Sequence, residues 1–450
     1  MKKTAIALSV LTAITLSGCG SSSDDNPPPP SENSRSITVI DGYLGRAEVC
    51  VDRNANNVCD KDEFLGITND DGTFTIPAVD SNYPVLTRAI AGFSLDSDRI
   101  GYVRNTYEMV ANADSSVVTP FTTLAKSANM TVEELANELD LPTSVISGDY
   151  VSAKQGDNAE DAVVAHALAR SLVNELPANA AELNGESLKE AAADINNAIS
   201  SHVNDNGHDS LDDVDFVIDS SGDVVTEDVI SDLQSYLIGD ETVWNMVSLN
   251  GSYAQDEGIF AVELDEDKMC VTADMGEFCA LYSVEGNVLS FDGESDEFIY
   301  TSSNIAFAVP AEGDLSFWTT DNLIDGSSME FASTDFSDKT WFMVFDDATN
   351  QMPVPIFVEF QFKENGRITF VEDGEDDFYG DWAITSDGNL HITFDDETVD
   401  DMHPMTYSYV TTNGRLMIVS NLDHHANVFS IFTEDKALAE NIIKQWEATN

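Results

Sequence analysis

The chain reads Asp52-Arg53-Asn54-Ala55-Asn56-Asn57-Val58-Cys59-Asp60-Lys61-Asp62-Glu63 between two short apolar runs. Side-chain oxygens stand at positions 1, 3, 5, 9 and 12 of this stretch, and position 7 offers a backbone carbonyl. Ca²⁺ binds six to eight oxygen atoms, and a terminal Glu can bind it with both carboxylate oxygens. The spacing therefore predicts a calcium site whose ligands are Asp52, Asn54, Asn56, Val58 (through its carbonyl), Asp60 and Glu63.

This calcium loop follows the EF-hand pattern, but strands rather than helices are expected on either side of it. Position 6 of an EF-hand loop holds Gly because the turn needs a positive φ, and here it is Asn57, a residue that tolerates this conformation. Val49-Cys50-Val51 enters the loop and Phe64-Leu65-Gly66-Ile67 leaves it, and both runs have the pattern of strands. The alternative interpretation is a solvated polar turn that binds no metal.

The sequence around the loop is predicted to be β-rich over residues 37–110. A Gly-x-x-x-x-Ala-x-Val segment that starts at Gly42 precedes a Thr-x-x-x-Gly-x-Phe segment that starts at Thr68. Residues 39–76 thereby resemble the carboxypeptidase regulatory-like, prealbumin-like β-sandwich and the calcium-binding B-type repeat of Ser-Asp-repeat surface adhesins. The resemblance implies an N-terminal β-sandwich that acts as a rigid spacer or display module on a cell surface, with the same six calcium ligands.

The cysteines indicate an oxidising compartment. Besides Cys19 the chain has two pairs, each nine positions apart: Cys50 with Cys59, and Cys270 with Cys279. An even count in an exported protein favours two local disulfides. The alternative is a metal site built from all four cysteines, although the close Cys-x-x-Cys spacing of zinc sites is absent.

The N-terminus has the features of an exported lipoprotein. Residues 1–18 comprise a basic start, an apolar run too short to span a bilayer, and Leu16-Ser17-Gly18 before Cys19. The segment Leu16-Ser17-Gly18-Cys19 resembles the lipobox of bacterial lipoproteins. This resemblance implies cleavage before Cys19 and lipidation of that residue (palmitate). It also implies anchoring in the outer membrane of a Gram-negative cell. Residues 19–36 are rich in Ser, Asp and Pro and are predicted to form a tether. The alternative is an ordinary secretory signal with a chance Cys.

Acidity excludes one class of partner. The 450-residue chain has 82 Asp and Glu against 20 Lys and Arg, which gives a formal net charge of −62. Binding to nucleic acid depends on cationic side chains, so nucleic acid is excluded as a partner. An anionic membrane surface also attracts cations, so contact with a membrane is expected only through the lipid anchor. Acidic runs at 204–209 and 373–377 lack the ligand spacing of the calcium loop and are interpreted as solvated surface.

Residues 111–240 are predicted to be mostly helical. Thr131 and Ser187 each begin a capping-box pattern, and an apolar periodicity runs from Asn158 to Leu176 before Pro177. Thr226 is expected to cap a last helix that runs through Leu237. His166 falls on the helical pattern and is interpreted as a packed or surface histidine.

Residues 241–450 are predicted to be a duplicated β region with units at 241–335 and 336–450. Trp244 and Trp341 are 97 positions apart, and three further pairs repeat in the same order: Ile259-Phe260 with Ile356-Phe357, Glu285–Val288 with Asp387–Leu390, and Gly313–Leu315 with Gly414–Leu416. Each unit is either a small barrel or half of one larger antiparallel barrel. A Trp near the first strand, followed by hairpins, loosely resembles bacterial lipocalin-like domains. A final helix is predicted at about 436–446.

Signatures of enzymes are absent from the sequence: it has no nucleophile elbow, phosphate loop, dinucleotide motif or His-Glu-x-x-His. A histidine group in the second β unit could bind a transition metal, but loop histidines without a role are favoured. That group comprises His391, His403, His424 and His425, with Asp423 beside them.

Together these patterns predict a multidomain α+β protein with an N-terminal β-sandwich, a helical middle and a duplicated, β-barrel-like C-terminal region. The predicted function is non-enzymatic surface display, adhesion or binding by a calcium-stabilised, lipid-anchored envelope protein, with an unknown surface ligand, glycan or protein as partner. A lipocalin-like carrier of a small apolar ligand is one alternative, and an extracellular hydrolase is the other.

Overall fold

The computed structural model of the protein is mostly β, with eight α-helices among the residues it describes. The predicted signal peptide, Cys19 and most of the tether lie outside those residues. The described residues are 34–219, 221–239, 242–249, 259–273, 276–311, 313–321, 330–348, 352–371, 377–395, 405–412, 415–422 and 428–448.

The N-terminal strands form two sheets and one short ladder. The strands are β1 (Arg35–Val39), β2 (Leu44–Gly45), β3 (Glu48–Val51), β4 (Phe64–Ile67), β5 (Thr73–Ile76), β6 (Val85–Ala89), β7 (Leu95–Asp96), β8 (Tyr107–Ala111) and β9 (Val117–Val118). One sheet has the order β5-β1-β9, the other has the order β4-β3-β6-β8, and β2 pairs with β7. The predicted strand runs become β1, β3, β4 and β5.

Helices follow, interrupted by the hairpin β10 (Val214–Ile218) and β11 (Val224–Asp228). The Thr131 capping box is present, with the Glu134 carboxylate accepting from the Thr131 backbone N–H at 2.8 Å. Apolar side chains from β1, β3 and β8 and from α1, α5 and α6 belong to one hydrophobic core. The helices are α1 (Pro120–Ser127), α2 (Val132–Leu139), α3 (Thr143–Ile146), α4 (Tyr150–Ala153), α5 (Ala159–Leu172), α6 (Gly185–Asn206) and α7 (Leu233–Ile238).

Two predicted helix caps are wrong. The side chain of Asn184, rather than that of Ser187, accepts the backbone N–H groups at the start of α6. Thr226 lies within β11, and Asp232 caps α7. The reason is local: Asn and Asp bond nearby backbone N–H groups as readily as Ser and Thr do, and the β-branched residues of 224–226 favour a strand.

The C-terminal region contains two separate, closed, eight-stranded antiparallel barrels. This selects the small-barrel alternative over halves of one larger barrel. The first comprises β12 (Val243–Ser248), β13 (Phe260–Leu264), β14 (Lys268–Ala273), β15 (Gly276–Glu285), β16 (Val288–Phe291), β17 (Glu294–Thr301), β18 (Ile305–Pro310) and β19 (Ser316–Thr319). The second comprises β20 (Thr340–Asp346), β21 (Pro355–Phe362), β22 (Arg367–Val371), β23 (Phe378–Ile384), β24 (Leu390–Phe394), β25 (Met405–Thr412), β26 (Leu416–Asn421) and β27 (Phe429–Thr433).

The barrels repeat each other in detail. Trp244 and Trp341 lie on the first strands, and each indole N–H donates at 3.0 Å to a backbone carbonyl just upstream of its barrel. A register shift falls between the sixth and seventh strands of both barrels. The predicted match of 313–315 with 414–416 is wrong, because the first precedes an eighth strand and the second a seventh. The sequence offset between matching residues changes along the region because loop lengths differ between the two barrels.

Each barrel has an apolar interior and one apolar outer wall. In β20, Trp341 and Met343 belong to the interior cluster, whereas Phe342 and Val344 belong to a cluster between the barrels. The period of two along a strand sends alternate side chains to the two faces. The helix α8 (Lys436–Ala448) adds Leu438, Ile442 and Trp446 to the cluster between the barrels, which we call the seam.

Candidate functional site

The calcium loop connects β3 to β4, which are adjacent antiparallel strands. The backbone N–H of Val51 donates to the Glu63 carbonyl at 3.1 Å, so the two ends of the loop are held together. Asp52 and Glu63 are buried at its base, with 3% and 2% of their surface exposed. Buried carboxylates need polar partners or a cation to offset the loss of hydration. The strand pairing therefore sets the first and last ligand positions side by side.

Short hydrogen bonds inside the loop bring the other predicted side chains together. The Asp60 carboxylate accepts from the amide of Asn54 at 2.8 Å and from the amide of Asn56 at 3.1 Å. The Asp52 carboxylate accepts from the backbone N–H groups of Asn56 at 3.1 Å and Asn57 at 3.3 Å. The structure thus links Asn54 and Asn56 to Asp60 through side chains, and Asp52 to the backbone of Asn56 and Asn57, while the carboxylates of Asp52, Asp60 and Glu63 are not drawn together into one close group.

Backbone conformation within the loop also follows the calcium-loop pattern. Asn57 at position 6 has a φ of 55°, and Ala55 has a φ of 63°. Left-handed residues let the chain turn sharply enough for backbone N–H groups to meet the first carboxylate. Glu63 accepts from the backbone N–H of Arg53 at 2.7 Å and from that of Asp60 at 3.4 Å. Each of its oxygens retains a second lone pair.

Both predicted disulfides are present. Cys50 on β3 bonds to Cys59 at position 8 of the calcium loop, and Cys270 on β14 bonds to Cys279, its direct cross-strand partner on β15. The alternative metal site of four cysteines is therefore wrong. Among the described residues, the one close group of three potential metal ligands is Cys270, Glu277 and Cys279, and its thiols are consumed by the disulfide.

A buried ionic cluster, which the sequence analysis missed, lies beneath the N-terminal sheets. Asp215 of β10 pairs with Arg99 and accepts from the Arg170 Nε at 2.6 Å. His166 of α5 is 1% exposed, with its Nε2 at 2.5 Å from an Asp98 carboxylate oxygen, so the packed-histidine interpretation holds. Burial lowers the pKa of His166 despite this neighbour.

Two further carboxyl groups of this cluster hold protons more tightly than usual. Asp41 is fully enclosed, and burial, reinforced by Asp96, raises its pKa well above the ordinary value. Its Oδ2 accepts from the Tyr107 hydroxyl at 2.8 Å. Burial also raises the pKa of Asp96 to about 6. The cluster thus sets the guanidinium groups of Arg99 and Arg170 against several carboxyl groups, two of which have raised pKa values because they are buried.

Three neighbouring cavities, which share lining residues, lie where the N-terminal region, the helices and the barrels meet. Their volumes are about 660, 380 and 30 Å³. Asn105 lines all three, and Arg415 and Glu175 line the two larger ones. The two larger cavities fall in the size range of ligand sites, roughly 300–1,000 Å³.

Of the predicted histidine group, only His391 lies among the described residues. His391 lies on β24, and its Nδ1 is 3.0 Å from the Thr406 hydroxyl. His403, His424, His425 and Asp423 lie outside the described residues, as does most of the 373–377 run. The 204–209 run covers the end of α6 and the start of a 3₁₀ turn, and its side chains are mostly exposed.

No family model matches the chain, and no curated protein shows significant similarity to it. Among the described helices, none combines the length and apolarity required to cross a membrane.

Proposed function

We propose that the loop at residues 52–63 binds Ca²⁺. The observation that carries the proposal is the burial of Asp52 and Glu63 at the two ends of the loop, with Asn54 and Asn56 hydrogen-bonded to Asp60 between them. All of these side chains carry oxygen atoms that can bind a metal. The two asparagines turn their amide nitrogens towards Asp60, and rotation of each amide by about 180° would place its oxygen there instead. Such a set matches the hard, oxygen-seeking chemistry of Ca²⁺.

Bound calcium would supply charge compensation for Asp52, Asp60 and Glu63. Without it, the three carboxylates depend on backbone N–H groups and on two asparagine amides. A metal that binds only the folded chain stabilises it by mass action. Calcium is thus proposed to stabilise the β3–β4 connection. A stabilised connection fits the rigid display module that the resemblance implies. We propose that the two N-terminal sheets form the sandwich of that module.

We further propose that the protein is a lipid-anchored, outer-membrane envelope protein with a non-enzymatic role in display, adhesion or binding. The lipobox-like segment at Cys19 and the two disulfides support export and anchoring. Of the two alternatives, the apolar carrier gains no support from the barrels. Their described interiors are filled by buried aromatic side chains, including Trp244, Trp318, Trp341 and Phe360.

Calorimetric calcium titration of the chain from residue 19 onward, with Cys19→Ser, tests the metal proposal. One tight site is expected in this protein, and Glu63→Gln should weaken it at least tenfold because the last position loses its bidentate carboxylate. Glu186→Gln, an exposed residue of α6, is the matched control and should bind normally. Weak, multi-site heat that Glu63→Gln leaves unchanged would refute the calcium site.

A separate experiment tests the anchor. Metabolic labelling with palmitate in a Gram-negative host should mark the full-length chain and not the Cys19→Ser chain. Outer-membrane fractions should then contain only the labelled protein. Equal membrane association of both chains would contradict anchoring through Cys19.

A further inference from the structure

Arg104 is a cation without a hydrogen-bonded partner in the described structure. It lies between β7 and β8, and 17% of its side chain is exposed. The nearest carboxylate oxygen, on Glu227, is 4.0 Å from its Nη1. Burial and the neighbouring Arg99 both lower its pKa, so its surroundings disfavour the charge it carries. Its N–H donors are not among the sealed, unpartnered atoms of the described residues, so they open to space where water or a ligand can accept hydrogen bonds from them.

The guanidinium faces the cavity of about 380 Å³, whose walls come from every part of the fold. The N-terminal region contributes Arg104 and Asn105, the helical region Asn174 and Glu175, and the β10–β11 hairpin Glu227. The first barrel contributes Tyr300 and Ser303 and the second Arg415, which also donates to the Asn174 carbonyl at 2.9 Å. The cavity exists only because all these parts are docked together.

The lining specifies the chemistry of the occupant. A guanidinium binds a carboxylate through two parallel hydrogen bonds. The carboxylates of Glu175, Asp219 and Glu227 on the same walls would repel a second negative charge but accept hydrogen bonds from hydroxyl groups. Asn105 and Ser303 add neutral donors and acceptors. The group that fits this cavity therefore has one carboxylate and several hydroxyl groups.

We propose that this cavity binds a sugar acid, with its carboxylate on Arg104 and its hydroxyl groups on the surrounding acidic and amide side chains. The cavity of about 660 Å³ shares Asn105, Glu175 and Arg415 with it, and further sugar units of an acidic polysaccharide would lie there. The inference rests on the proposed binding role and gives it a ligand class. It does not depend on the calcium loop or on the anchor.

The net charge of −62 keeps nonspecific anion binding low, because the surface repels anions. Saturable binding of an anion would therefore indicate a cationic side chain in a cavity. Calorimetry with the Cys19→Ser chain would use galacturonate, glucuronate, trigalacturonate and, as the neutral control, galactose. Single-site binding of at least one acid is expected, with galactose at least tenfold weaker. Equal affinity for galactose, or no saturable binding of any acid, would overturn the proposal.

Two substitutions place the carboxylate. Arg104→Gln should weaken binding at least tenfold, whereas Arg367→Gln changes the net charge equally on an exposed strand of the second barrel and should have no effect. Asn105→Asp offers Arg104 an internal carboxylate, so it should abolish binding while the melting temperature stays level or rises. Unchanged affinity in folded Arg104→Gln or in Asn105→Asp would overturn the assignment.

Two further comparisons complete the test. One distinguishes a free sugar acid from a polysaccharide, and the other distinguishes the sugar-acid proposal from the calcium proposal. Trigalacturonate binding at least tenfold tighter than galacturonate would indicate a polysaccharide that extends into the larger cavity, and equal affinities would indicate a free sugar acid; either supports the sugar-acid site. Glu63→Gln should retain sugar-acid binding while it loses calcium. Loss of both ligands from a folded Glu63→Gln chain would contradict the independence of the cavity.

Discussion

Asp435 and Thr106 lie 329 positions apart in the chain and are joined by two hydrogen bonds. The Asp435 carboxylate accepts from the Thr106 backbone N–H at 2.6 Å and from its hydroxyl at 3.1 Å. The same carboxylate accepts from the backbone N–H groups of Ala437 and Leu438 at the start of α8. One side chain therefore caps the last helix and attaches it to the N-terminal region.

Because Asp435 serves both purposes, Asp435→Ala should lower the free energy of unfolding by about 2–4 kcal/mol. Asp232 caps α7 by accepting from the Ser235 N–H at 2.7 Å, and it makes no bond like that of Asp435 to Thr106. Asp232→Ala should therefore lower the free energy of unfolding by only about 1 kcal/mol. Urea denaturation followed by circular dichroism measures both. Equal losses in the two variants would show that the contact with Thr106 contributes nothing.

The raised pKa of Asp41 predicts a stability that falls with pH. The folded state keeps its proton to a higher pH than the unfolded chain, so stability declines as pH rises above the unfolded pKa of about 3.9, by at most about 1.4 kcal/mol per pH unit. Asp41→Asn keeps an acceptor for Tyr107 without that loss. It should match wild type at pH 4 and exceed it by about 1–3 kcal/mol at pH 8.

Thermal melts from pH 4 to pH 8 measure this difference. Asp71→Asn is the control, because a hydrogen bond from the Thr73 hydroxyl lowers the pKa of that exposed carboxyl group, so its effect should have the opposite sign or vanish. An Asp41→Asn chain that is less stable than wild type at pH 8 would mean that the ionised carboxylate is needed by Arg99.

The two disulfides should be separable by function. Each closes a loop of nine positions, and removal of either should cost about 2–3 kcal/mol by the chain-entropy model. Only the Cys50→Ser, Cys59→Ser chain should also bind calcium more weakly, because Cys59 lies within the calcium loop. Calorimetry on both double variants tests this, and equal calcium affinities would show that the strand pairing alone shapes the loop.

Phe360→Ala tests whether the second barrel is a packed core. Phe360 is buried among Phe370, Phe362 and Phe432, with ring centroids 5.0–6.0 Å away. Truncation should cost about 3–5 kcal/mol and open an apolar void. Wild type should bind no fatty acid in a fluorescence displacement assay. Stoichiometric fatty-acid binding by wild type would instead favour the carrier alternative.

Local patterns predicted the parts of the fold that neighbouring residues determine. Asn365-Gly366 and Asp387-Gly388 mark hairpins in which the glycines adopt φ values of 81° and 74°. The pairs Cys50–Cys59 and Cys270–Cys279 could be chosen because each spans a single turn. The spacing of Trp244 and Trp341 indicated a duplication, although only the structure shows that each copy closes as its own barrel.

Features made by distant residues could not be predicted. Arg99, Arg170 and Asp215 lie on three different elements, and nothing in their separate surroundings indicates that they meet. The cavity around Arg104 likewise needs residues from five parts of the chain. Its one available signal was the scarcity of cations in so acidic a sequence, which makes any enclosed arginine worth examining.

The seam between the barrels restricts how this gene can change. Phe307, Phe317, Val344 and Ile418 turn apolar side chains outward from one barrel towards the other or towards α8. Deletion of either copy would leave the survivor with an apolar wall in water, which is an aggregation hazard. The duplication is therefore irreversible in practice, and sequence divergence between the copies is free to accumulate only on the walls that face away from the seam.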